Sequence, residues 1–270
     1  MKFCTISPIK GLQQYGTYLS NRHLVLANWL HNEEYCRYYT RRRLAGDFLI
    51  LDNGAYENTR PLDSAAYFNW IKNLDPAVVV LPDILKSPWR KTTSAALQFL
   101  DLYTDLPQLA KYRTEWMFVP QTTTDQPDGV FKALEKVLDD PRQGYKVNWV
   151  GLSRYLCKLN TYSGYSPGWT FRCELAQWIR KNFPHVKFHA LGMNAGRTNE
   201  LEHLKDLGVE SIDSSCAVWR GWGAGSGRGV SLTDPSWETS GTPCDFGTVS
   251  EPDHEQIINN LEAIRNALRG

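Results

Sequence analysis

Three aspartates end short apolar runs: Asp52 in FLILD (48–52), Asp83 in VVVLPD (78–83) and Asp213 in ESIDSS (210–215). Other polar or small groups take the same place. Gln121 ends WMFVPQ (116–121), Gly151, Leu152 and Ser153 end NWVGLS (148–153), and Gly192 ends KFHALG (187–192). One such residue alone forms a turn or caps a helix. Repeated at successive strand ends, these residues form a ring around one mouth, where crowded carboxylates raise one another's pKa values. That arrangement serves acid/base or nucleophilic chemistry. Beside Asp52, the sequence Asn53-Gly54-Ala55-Tyr56 brings a tight turn and an aromatic ring.

A barrel is the scaffold that would gather these residues. The apolar runs KFCTIS (2–7) and LVLAN (24–28) join the six above, and all are short, continuous and bounded by polar or Gly/Pro signals. Such runs suit parallel strands covered on both faces. Helical patterns lie between them at 31–46, 62–74, 92–103, 129–140, 171–183 and 198–208, and another closes the chain at 253–269. In the 62–74 pattern, Ala66, Trp70 and Leu74 share a face. The alternation predicts an α/β chain of (β/α)8 TIM-barrel type, one domain over 1–270, with a doubly wound open sheet as the alternative. In a barrel, all of the polar strand ends named above lie on one face. The long stretch 219–252, rich in Gly, Ser, Thr and Pro, reads as an active-face loop. Its GWGAGSGRG (221–229) lacks the P-loop Lys-Ser/Thr and the dinucleotide spacing, so a lid or a nucleic-acid-contacting loop is expected there.

The formal net charge of +1 gives no global nucleic-acid signature, so any such interface must be a local basic patch. Lys86, Arg90 and Lys91 follow the Asp83 run, Arg154 and Lys158 follow Gly151, and Arg220 and Arg228 lie in or near the long loop. All are candidates for phosphate contact. Arg41, Arg42 and Arg43 end a helical pattern and suit its dipole. The six cysteines, at 4, 36, 157, 173, 216 and 244, form no C-x-x-C pair. They read as buried free thiols in a reducing, cytoplasmic setting. The N-terminus lacks the long apolar core of a signal peptide, and no window approaches the roughly 18 apolar residues of a spanning helix. His189, inside an apolar run, reads as a barrel-lining histidine, and Trp70, Trp116, Trp149 and Trp178 read as core.

The motifs LDNGAYE (51–57), LPDIL (81–85), VPQ (119–121), VGLSR (150–154), HALGMN (189–194) and SIDSSCAVWRG (211–221) stand in the order found in tRNA-guanine transglycosylases. Over residues 45–221 the chain resembles still more the DNA-acting deazapurine relatives of phages and bacterial genomic islands. The resemblance implies exchange of a guanine for a 7-deazaguanine through a covalent enzyme–sugar intermediate. It implies Asp213 as nucleophile and Asp52 as acid/base. Asp83 and Gln121 would read the purine edge, Asn53 would join them in contacting the base, the N–H groups of Gly151 and Leu152 would hold its carbonyl oxygen, and Tyr56 would stack on it. DNA, with a flipped-out or single-stranded base, and a free 7-deazaguanine base are the implied partners. The RNA-acting enzymes carry a zinc set, C-x-C-x-x-C with a later His. Cys216, Cys244 and His254 do not reproduce it, so no zinc subdomain and no cofactor are expected. Asn53-Gly54-Ala55 also replaces the family's usual Ser-Gly-Gly. This leaves open a second activity on the same scaffold, a DNA glycosylase that leaves an abasic site in defence against modified phage DNA. A non-catalytic nucleic-acid-binding barrel is the third reading.

Overall fold

The computed structural model describes residues 1–58, 63–105, 113–158, 170–193, 198–222, 231–232 and 252–269. Eight strands are present: β1 (Lys2–Thr5), β2 (Arg22–Leu26), β3 (Phe48–Asp52), β4 (Val78–Val80), β5 (Glu115–Phe118), β6 (Val147–Ser153), β7 (Lys187–Leu191) and β8 (Ser211–Ser214). All pairings are parallel, and the order β1-β8-β7-β6-β5-β4-β3-β2 places each strand beside its sequence neighbour and returns β8 to β1. An open doubly wound sheet would reverse its order at a switch point. This sheet has none and forms a nearly closed (β/α)8 barrel. At the seam between β1 and β2, the Ser20 hydroxyl donates to Phe3 O (2.6 Å) and accepts from Arg22 N (3.0 Å).

β4 and β5 end before their motifs do. Leu81 N still bonds Met117 O (2.8 Å), but Pro82 and Pro120 bring no N–H to a ladder. The chain therefore leaves the sheet just where Asp83 and Gln121 follow.

Helices follow the strands: α1 (Leu12–Tyr15), α2 (Glu33–Leu44), α3 (Ala55–Asn58), α4 (Ser64–Leu74), α5 (Trp89–Tyr103), α6 (Gly129–Leu138), α7 (Thr170–Asn182), α8 (Asn199–Asp206), α9 (Cys216–Gly221) and α10 (His254–Arg269). Local chemistry sets their ends. Asn32 caps α2 by accepting from Tyr35 N (3.1 Å), Glu33 and Glu34 occupy its first turn, and Arg41, Arg42 and Arg43 its last. Asp63 caps α4 through Ala65 N and Ala66 N, each at 3.0 Å. The buried face of α4 is Tyr67, Phe68, Ile71 and Leu74. Ala66 is exposed and Trp70 half-buried, which corrects the face expected from spacing. The reason is Tyr67: its hydroxyl reaches the carbonyls of Leu51 (2.9 Å) and Val80 (2.8 Å), so the helix is turned to present it to the ends of β3 and β4.

Register and cross-barrel contacts identify the interior face. Phe48 of β3 and Trp149 of β6 are three strands apart, yet their ring centroids lie 6.1 Å apart, which only a path through the barrel allows. Beside them Trp149 Nε1 donates to Glu115 (2.6 Å), and Lys187 pairs with the same carboxylate (2.7 Å). This layer fills the N-terminal end. Side chains alternate along a strand. The interior set therefore includes Asp52 on β3, Met117 on β5, Gly151 and Ser153 on β6, His189 on β7, Ser211 and Asp213 on β8, and Cys4 on β1. Among the described residues no helix is long and apolar enough to cross a membrane. The five described cysteines are free thiols.

Candidate functional site

The C-terminal rim of the barrel carries two hydrogen-bonded clusters. The first joins the ends of β3, β4 and β5. Asn53 is fully buried, and its Nδ2 donates to Leu81 O (2.9 Å) and to Asp83 Oδ1 (2.7 Å). Its Oδ1 accepts from Ala55 N (2.8 Å), which bends the chain out of β3 into α3. Gly54 makes that bend possible with a φ of 74°. Gln121 Nε2 donates to the other oxygen, Asp83 Oδ2 (2.7 Å), while Gln121 Oε1 is buried and has no hydrogen-bond partner among the described residues.

Burial is the dominant influence on Asp83. It pushes the carboxyl up to about 6 against the opposing hydrogen bonds from Asn53 and Gln121. Mutual repulsion among carboxylates was the expected cause, and it is not what raises Asp83. Desolvation does so, because the residue is only 5% exposed. Asp52 is half-buried at the end of β3. Burial drives the Tyr67 phenol far above its ordinary value, and the charges of Asp52 and Asp83 add to that rise. Both carboxylates are thus within electrostatic reach of the hydroxyl that ties β3 to β4.

The second cluster joins β7 and β8. Asp213 Oδ1 lies 2.9 Å from His189 Nε2 and accepts from Gly192 N (3.1 Å). The other ring nitrogen, His189 Nδ1, lies 2.8 Å from Ser211 Oγ. Among the described residues, no hydrogen bond reaches Asp213 Oδ2. Cys4 stands beside Asp213 in register, and burial and the Asp213 charge both push its thiol up. It is thus a neutral neighbour. Behind the cluster, Arg172 is fully buried and donates to Gly192 O from Nη1 (2.9 Å) and Nη2 (3.0 Å), while Nη2 also pairs with buried Glu200 (3.0 Å). Gly192 has a φ of 75°, and a Cβ there would lie 3.3 Å from Arg154 Cβ. It is held at its carbonyl by Arg172 and uses its N–H on Asp213.

Several expected roles need correction. Asn53 was expected to contact the base, but its amide is consumed within the protein and it serves to hold Asp83. Arg220 was expected to meet a nucleic-acid backbone. It is 2% exposed, and its Nη1 donates to Ser231 O (3.1 Å) and Leu232 O, so it is an internal tie beneath α10. Gly151 and Leu152 are buried in the β6–β7 ladder. The space a Gly151 Cβ would occupy lies 2.7 Å from Val119 Cγ2 and 2.8 Å from Leu191 Cδ1. Among the described residues, side chains of Val119 and Leu191 lean into the volume that a Cβ would fill.

Other candidates stand at accessible places. Tyr56 is 52% exposed on α3. Lys86 is exposed in a left-handed turn (φ 55°), and Arg90 is exposed with its guanidinium 4.7 Å from the Trp89 ring centroid. Arg154 is half-buried next to Gly192. Arg228, Cys244 and nearly all of the 219–252 loop beyond Trp222 lie outside the described residues, as does the side chain of Lys158.

His189 was legible only as a barrel-lining residue. The signal that ties it to Asp213 is alternation: His189 on β7, with Ser211 and Asp213 on β8, falls on one face once the strands are paired. Arg172, Glu200 and Tyr67 carried no signal that marked them as supports. No family model matches the chain, and a search of curated proteins finds no match.

Proposed function

We propose that the chain cleaves the N-glycosidic bond of a nucleobase in DNA and exchanges the base, guanine for a 7-deazaguanine, in the manner of a transglycosylase. One observation carries this reading. Asp213, next to last in β8, lies on the interior face with one carboxylate oxygen held and, among the described residues, no hydrogen bond to the other, on the same rim as Asp52 and the buried Asp83–Gln121 pair. A half-held carboxylate suits bond formation to a sugar carbon.

In this reading Asp213 attacks C1′ as the C1′–N bond breaks. The electron pair goes to the base nitrogen, which takes its proton from the Asp52 carboxyl. The entering base then attacks C1′, gives its N–H proton to Asp52 and releases the Asp213 carboxylate. Asp83, as an anion, accepts from the donors of a purine edge, and the unpartnered Gln121 Oε1 offers one more acceptor. Tyr56 stacks on the base extracted from the duplex. Lys86, Arg90 and Arg154 meet phosphates.

The test is incubation with duplex DNA, with and without the 7-deazaguanine base preQ0, followed by mass spectrometry of the nucleosides. Incorporation of the base supports exchange. Alkali-labile abasic sites without incorporation would turn the reading to excision, with water as the acceptor. Neither product refutes both. Asp213→Asn is expected to lower turnover by on the order of 10³-fold or more, and full activity in that variant would remove the nucleophile from the scheme.

A further inference from the structure

Resting on that reading, we propose that His189 is a positioning residue: it selects which oxygen of Asp213 reacts. An ionised carboxylate only accepts, so the ring nitrogen that faces Asp213 Oδ1 at 2.9 Å, Nε2, must carry the proton. In the neutral ring Nδ1 is then the acceptor, and the Ser211 hydroxyl at 2.8 Å donates to it. The carboxylate thus fixes the tautomer, and the Ser211 hydroxyl satisfies the ring's other nitrogen. A second donor, Gly192 N–H at 3.1 Å, falls on the same oxygen. Two donors on Oδ1 lower its electron density and pin the plane of the group. Among the described residues no donor reaches Oδ2, which keeps its lone pairs and is the oxygen that forms the bond to C1′. In the second half-reaction that bond breaks, and the pair returns to Oδ2.

Burial makes this arrangement costly to lose. His189 is fully buried and Asp213 is 4% exposed, so water does not replace a missing donor readily. The ring does not touch the substrate in this scheme; it acts through Asp213. A purely space-filling histidine would need neither a particular tautomer nor the Ser211 hydroxyl.

The experiment has two arms. In the first, ¹⁵N NMR of the intact protein reads the His189 tautomer: the Nε2–H form is expected, and an Nδ1–H form overturns the assignment whatever the activity. In the second, single-turnover kinetics of base release are compared for wild type, His189→Leu, His189→Gln and Ser211→Ala. The rate is expected to fall about 10- to 100-fold in His189→Leu, with substrate affinity unchanged, and to recover in part in His189→Gln, whose amide N–H can reach Oδ1. Ser211→Ala should fold as wild type does, shift the tautomer signal and slow the reaction by a smaller factor. An active wild type with an equally active His189→Leu overturns the role of His189 alone. A wild type inactive on every DNA tested overturns the proposed function, and this role with it.

Discussion

Replacing Asp83 by asparagine should stabilise the protein, and more so as pH rises. Asp83 is raised from 3.8 to about 6 because it is buried. The folded carboxyl therefore holds its proton more tightly than the unfolded one. Between about pH 3.8 and 6 the folded state binds more protons, so stability falls as pH rises through that window and levels off above it. Two units at about 1.4 kcal/mol each put the total near 3 kcal/mol. An amide at this position has no such dependence. It can also keep both contacts: its oxygen accepts from Asn53 Nδ2, and its NH₂ donates to Gln121 Oε1 once the Gln121 amide turns over. That oxygen has no partner in the wild type. Denaturant unfolding of wild type and Asp83→Asn, measured from about pH 4 to pH 8, gives the difference directly, because other titrating groups such as His23 and Asp47 are common to both. The variant should gain about 3 kcal/mol on the wild type across the series, most of it below pH 7, while losing base binding. A difference that does not change with pH, or one that moves against the variant as pH rises, would refute the burial argument.

Two further predictions concern the supports of the rim. Asn53→Ala removes three buried hydrogen bonds, to Leu81 O, Asp83 and Ala55 N; a loss of about 2–4 kcal/mol in denaturant unfolding is expected, and a loss under 1 kcal/mol would show that the turn holds without it. Arg172→Met and Glu200→Leu should each cost about 3–5 kcal/mol, since each strands a fully buried charge, whereas the double variant should cost far less than their sum. A double-mutant cycle with no coupling would show that the two charges do not depend on each other.

The barrel was legible because each of its signals is local. FLILD forms β3 over the residues its apolar run marks, and the fragments VVVLPD and WMFVPQ even state where their strands stop, since proline ends each ladder. The helical patterns 31–46 and 62–74 likewise match α2 and α4 to within two residues at each end. The α4 face was not: spacing alone favoured Ala66 and Trp70, and the winning face was set by a tertiary contact of Tyr67 with two strand ends. Arg220 failed similarly. A basic residue near a Gly-rich stretch reads as a surface cation, but its burial depends on carbonyls at 231 and 232 that fold back beneath it. The role of Asn53 in holding Asp83 was not legible, because its partners Leu81 and Asp83 lie beyond the end of another strand, β4.

The two rim carboxylates differ in a way that the sequence could not express and that bears on their division of labour. Asp83 receives one donor on each oxygen, from Asn53 and Gln121, so neither oxygen can swing and the group presents a fixed acceptor edge. Among the described residues Asp213 receives both of its donors, His189 and Gly192, on a single oxygen, with none on the other. A symmetric clamp suits recognition, where the carboxylate must keep its place and its bonds. An asymmetric clamp suits reaction, where one oxygen must form a bond while the other stays anchored. Both residues are Asp at or just past the end of a strand, and only their hydrogen-bond partners separate the proposed reader of a base from the proposed nucleophile.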